Sequence, residues 1–154
     1  MTHANRRLGL AFAVVAVWAA ITLVVPTLQL DGTTTLQDLI THSFAWGVVG
    51  AATFIVAAVW LAGWRDMGFR KPAPQVWWKL MWLPALYLAA LATLGVAEGD
   101  LVAAAVLMVF VNTAIVGFSE ELAFRGVLWG AARKALPFWT GFLLVSAAFG
   151  SVHV

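Results

Sequence analysis

The sequence predicts an all-α fold, a polytopic transmembrane helix bundle with about five spans and a cytoplasmic N-terminus. Three observations carry that reading. The 154 residues are 63% hydrophobic and only 10% charged, whereas soluble domains run near a quarter charged. Apolar runs long enough for a bilayer core, which takes roughly 20 residues as helix, recur along the chain. Lys and Arg are confined almost entirely to alternate connections between those runs. No repeat or low-complexity linker divides the chain, so residues 1–154 read as a single membrane-embedded domain.

The first span covers about Leu8–Leu30, with Pro26 near its outer end. Arg6 and Arg7 before it suggest a signal peptide, but the run is too long for a signal h-region. No A-x-A cleavage site follows it either, so it reads as a retained span. The second covers about Phe44–Trp64 and the third about Trp77–Ala97, with Pro84 as a kink site. Trp46, Trp60, Trp64, Trp77 and Trp78 flank these runs, as an interfacial aromatic belt would. The fourth starts near Leu101 and the fifth near Pro137.

Arg6 and Arg7, then Arg65, Arg70, Lys71 and Lys79, then Arg133 and Lys134 lie in alternate connections. The opposite connections hold Asp31, Asp38, Glu98 and Asp100 without a basic residue. This split places the N-terminus in the cytoplasm. The loop GWRDMGFRKPAP (Gly63–Pro74) is then cytoplasmic, a basic connector suited to anionic headgroups. The pI of about 9.5 follows from nine Lys and Arg against seven Asp and Glu. Basic cytoplasmic loops account for it, and no nucleic-acid partner is expected. The absence of cysteine excludes disulfides and thiolate chemistry.

Arg125 is the one basic residue outside those loops, and it lies close to two adjacent carboxylates in GFSEELAFRGVLWG (Gly117–Gly130). Eleven of the fourteen residues from Ser119 to Ala132 are apolar or small, so span four is expected to continue as helix to about Ala132. Arg133 and Lys134 then mark the cytoplasmic border. On that placement Glu120 lies roughly 20 Å above Arg133, and His153 roughly 24 Å above Pro137, at 1.5 Å per residue. The two therefore reach similar depth on adjacent antiparallel helices.

Charge at membrane depth is costly and marks a candidate site. Glu121 and Arg125, at i,i+4, share one helix face and can pair. With both desolvated, breaking that pair would cost roughly 3–5 kcal/mol, which assigns them a structural role. Glu120 points about 100° away, with no cation at helical spacing, so another helix must supply its partner. A buried carboxylate is a usable base near neutral pH. Glu120 and His153 could converge on a water, or could ligate a divalent metal, zinc among them, that activates it. Phe124, Phe138, Phe142 and Phe149 read as core or lipid-facing aromatics. Asn112 and Thr113 read as interhelical hydrogen-bond groups. A non-catalytic binding protein and a proton-relay component with Glu120 and His153 as carriers stay open alternatives.

EELAFRG (Glu120–Gly126) resembles the EExxxR motif of the CPBP family, which includes the type II CAAX prenyl endopeptidases and bacteriocin-processing or immunity proteins. FGSVH (Phe149–His153) resembles the family's FxxxH motif, and GWRDMGFRKP resembles the segment that precedes its core helices. The strong similarity covers about Asn112–Val154. The resemblance implies an intramembrane protease in which Glu120 and His153 activate water while Glu121 and Arg125 form a supporting ion pair. Metal involvement within the family is open, so Glu120 and His153 are metal ligands only if a metal is used. The implied partners are the lipid bilayer and a membrane-associated peptide. A further family motif, HxxxN or HxxxD on a later helix, has no counterpart here; neither His3 nor His42 has Asn or Asp four residues on. The expectation is a C-terminally incomplete chain with little activity by itself, since losing such a charge-stabilising group costs roughly 10²–10³ in rate.

Overall fold

A computed structural model describes residues 2–29, 45–68, 82–97 and 103–153. Every regular element among them is helical. They are α1 (His3–Gln29), α2 (Trp46–Leu61), α3 (Trp82–Ala97), α4 (Ala103–Glu120), a π-helical segment (Glu121–Leu128), α5 (Trp129–Ala135) and α6 (Phe138–Ser151). The acidic connections, Arg70, Lys71, Lys79, Trp77, Trp78 and His42 lie outside the described residues.

Among the described residues, two helices are long and apolar enough to cross a membrane, His3–Leu28 and Ala105–Ala135. The other three described helices are apolar but shorter. At 16 residues, α2 is about 24 Å long, less than a hydrocarbon core of about 30 Å. The expected second span overran this helix. Its end is a glycine turn: Gly63 sits at φ 63°, its N–H donates to the Trp60 carbonyl, and the Trp64 N–H donates to that of Val59. This paired pattern is a helix stop that only a left-handed residue closes cheaply. It sends the chain into Trp64–Gly68 and brings Asp66 back toward the bundle.

α1 starts at His3, earlier than the apolar pattern suggested, so Arg6 and Arg7 are helical. Pro26 stays inside it, and the wall it presents is accommodated by α2. A Cβ at Gly47 would lie 3.0 Å from both Pro26 Cδ and Val25 Cβ, so glycine there permits the close approach of α1 and α2.

α4, the π segment and α5 form one continuous rod, since the joining residues Glu120, Leu128 and Trp129 all keep right-handed helical dihedrals. It ends at Leu136, whose extended backbone is what a residue before proline adopts. Pro137 then opens α6. The core lies where α1, α2 and the π segment meet. Ala11, Val15 and Trp18 recur at helical spacing on α1, and Ala51 and Ile55 on α2. Leu122, Ala123, Phe124, Val127 and Leu128 meet them from the π segment, and Met67 closes one side. Asn112 is buried, and its Oδ1 accepts the Ala45 N–H at 3.2 Å, tying α4 to the start of α2 across helices as its polarity suggested.

Candidate active site

The EELAFRG stretch does not continue as an α-helix. Glu121 to Leu128 is π-helical, with i→i+5 bonding and a wider turn. The widened turn sorts its residues by fours. Leu122–Phe124 and Gly126–Leu128 are buried, while Glu121 and Arg125 lie on the outer side. A Cβ at Gly126 would lie 3.1 Å from Leu122 Cδ1 and 3.4 Å from Met67 Sδ, so the glycine leaves Met67 its place against the segment. Segments of this kind recur at functional sites.

Glu120 is the last residue of α4, and about three quarters of its side chain is covered, with 25% exposed. His153 follows the end of α6. The structure brings them together: His153 Nε2 lies 3.6 Å from Glu120 Oε1. That separation is too long for a direct hydrogen bond. A water about 2.8 Å from each atom could sit at the apex of a triangle over them.

The other imidazole nitrogen fixes the ring. His153 Nδ1 lies 2.8 Å from the Phe149 carbonyl oxygen, one helical turn earlier. A carbonyl only accepts, so Nδ1 carries a proton. In the neutral ring Nε2 is then the lone-pair nitrogen, facing the carboxylate. The Phe149 ring lies against the imidazole with centroids 4.4 Å apart. Phe124 meets Phe149 edge to face at 5.1 Å, and Trp18 meets Phe124 in the same way at 5.5 Å.

Glu121 and Arg125 do pair, with Arg125 Nη1 2.9 Å from Glu121 Oε2. The pair is not desolvated by protein: their side chains are 57% and 78% exposed. The core positions of the π segment are taken by apolar residues, which leaves the charges outside. Both residues border a cavity of about 400 Å³ with Glu120, Phe124, Phe142 and Phe149. Its lining is mainly apolar, four aromatic rings among it, and the two carboxylates and the guanidinium border it.

A metal centre does not assemble from these groups. Among the described residues no three His, Asp or Glu side chains gather as ligands. Glu120 and His153 supply two, whereas a catalytic zinc takes three protein ligands and a water.

A separate charged cluster lies at the C-terminal end of the rod. Asp66 accepts from Arg7 at 2.6 Å and also from Lys134. The Arg7 guanidinium further sits 5.2 Å over the Trp64 ring. These two hydrogen bonds, Arg7 first and then Lys134, hold the Asp66 carboxyl well below the usual carboxylate range.

Residues 102–154 match the family model of the Rce1-like type II CAAX prenyl endopeptidases. The matched segment contains Glu120, Glu121, Arg125 and His153, and it begins upstream of the motif region. It is consistent with a protease of the CPBP family. It leaves α1, α2 and α3 outside it. No curated protein and no solved structure matches the chain. Two residues at the site had no functional reading in the sequence. Trp18 is one apolar residue in an apolar run, with helical spacing that marks a core face but not what it meets. Phe149 reads as a core or lipid-facing aromatic, although it opens the FxxxH motif.

Proposed function

We propose that this protein is an intramembrane endopeptidase that hydrolyses a peptide bond of a membrane-associated peptide or protein. The observation that carries the reading is the approach of Glu120, at the end of α4, and His153, just beyond α6, within the Rce1-like segment. Glu120 takes a proton from the bridging water as the hydroxyl oxygen attacks the peptide carbonyl. The C–N bond then breaks, and the proton passes to the departing amine. His153 Nε2 accepts the water's other O–H and so orients its oxygen toward the carbonyl, the ring staying neutral through the step. The Glu121–Arg125 pair keeps a second carboxylate neutralised beside the base. The aromatic cavity beside Glu120 suits the apolar flank of a membrane-borne peptide.

The proposal includes a multi-pass arrangement of about five spans in the cell membrane, with a cytoplasmic N-terminus and the bilayer as the surrounding partner. A divalent metal such as zinc would require ligands beyond Glu120 and His153.

The test uses the protein, with whatever its reading frame encodes beyond Val154, in liposomes with a peptide library. Glu120→Gln and His153→Ala are each expected to lower the cleavage rate by roughly 10²–10⁴-fold, the scale of general acid–base catalysis. Cleavage unchanged in both variants overturns the assignment. Tight peptide binding without cleavage by the wild-type protein would support a binding protein on the same scaffold. Loss of cleavage on exhaustive chelation, restored by zinc, would establish the metal.

A further inference from the structure

α1 lies outside the Rce1-like segment, yet it reaches the candidate site through a continuous series of rings. Trp18 is 1% exposed and stands in the middle of α1. Its edge-to-face partner Phe124 is 3% exposed on the π segment, between two charged outer positions. Phe124 in turn meets Phe149 of α6, and Phe149 lies against the His153 imidazole. Each contact has the edge-to-face or tilted geometry that aromatic quadrupoles favour over flat stacking. The indole Nε1–H is buried and meets no hydrogen-bond acceptor among the described residues. An unpartnered buried donor is a cost that an all-carbon ring would avoid. What the indole does supply is a rigid edge behind Phe124.

His153 needs such support. It lies two residues beyond Ser151, the last residue of α6, where a helix frays, and its imidazole is nearly half exposed. Its Nδ1–H bond to the Phe149 carbonyl fixes the tautomer but leaves the ring free to swing about that contact. The Phe149 ring restricts the swing only if Phe149 is itself held, and Phe149 is 42% exposed. Phe124 is the buried side of that contact, and Trp18 backs Phe124.

We propose that Trp18 is a positioning residue: acting through Phe124 and Phe149, it holds the His153 imidazole in the orientation that faces Glu120. The inference rests on the reading of His153 as the partner of Glu120, and its test does not depend on cleavage.

The ring-current shifts of the His153 imidazole protons report the Phe149 contact directly. They are measured by NMR on the full chain in detergent micelles with ¹³C-labelled histidine, His153 being assigned by loss of its signal in His153→Ala. Trp18→Phe keeps an aromatic edge and removes the unpartnered N–H; it is expected to keep the wild-type shifts. Trp18→Leu keeps apolar bulk without the edge; it is expected to lose more than half of the upfield displacement. In the cleavage assay Trp18→Leu is expected to lower kcat about threefold to tenfold, the scale of one aromatic contact, with KM unchanged. If Trp18→Leu unfolds by circular dichroism, Trp18→Met replaces it as a more adaptable filler. Wild-type His153 shifts in a folded Leu or Met variant overturn the inference, whatever the protein cleaves. Perturbed shifts in a protein that cleaves nothing would support the ring contact and sink the protease reading alone.

Discussion

Glu121 and Arg125 lie on the outer side of the π segment, and that position limits what their pairing adds to stability. Both side chains are more than half uncovered by protein. Both border the cavity beside Glu120, and where water fills it an ion pair open to this degree contributes roughly 0–1 kcal/mol, far below the figure for a desolvated pair. Arg125→Ala and Glu121→Gln are therefore each expected to change unfolding stability in detergent by less than about 1 kcal/mol. Their effect on cleavage should be larger in proportion, because both residues border the cavity beside Glu120. A loss of several kcal/mol in either variant would mean that the pair is enclosed in the working protein. Glu120 differs from both: its partner comes from another helix, and the contact is long enough to admit a shared water.

At the scale of elements, Asp66 is the point where three of them are tied. Arg7 comes from the first turns of α1, Asp66 from the loop after α2, and Lys134 from the last turn of α5. The folded carboxyl is held below its ordinary range, so folding favours the ionised form. Its contribution is therefore present above the unfolded carboxyl's pKa, about 4, and is lost as pH falls further through the folded one. Asp66→Asn is expected to be less stable than wild type by about 1.5–3 kcal/mol near pH 7, the range for hydrogen bonds to charged groups. The gap between the two should hold above about pH 5 and narrow below pH 4. Thermal unfolding of both proteins in one detergent across that range checks it, and a constant gap down to pH 3 would refute it. The sequence placed Asp66 in a basic loop and gave no sign of the tie. What creates it is the glycine turn at Gly63, one left-handed residue that stops α2 short and redirects the loop.

Across the whole molecule, the legible features were those set by composition and spacing. The apolar runs located all five described helical rods, and counting residues from the basic border put Glu120 and His153 at matching depth. The helix ends were less legible, because Gly63 ends α2 inside an apolar run and α1 extends back over Arg6 and Arg7. The π geometry of Glu121–Leu128 was not legible at all: locally the stretch reads as ordinary helix, and Met67 and the α1 and α2 residues that pack against it come from far along the chain. Arg7, Asp66 and Lys134 come from three connections assigned to the cytoplasm, and they meet in one cluster. Residues that share an ion-pair cluster lie at one membrane face. Single cysteines replacing the exposed Arg6, Arg65 and Arg133, in a chain with no native cysteine, should therefore react with an impermeant maleimide from the same side. A cysteine at Glu98 should react from the opposite side, and one at Glu120 should react from the basic side far more slowly than one at Arg133. Labelling of Arg6 and Arg133 positions from opposite faces would break both the charge-based orientation and the cluster that joins α1 to α5.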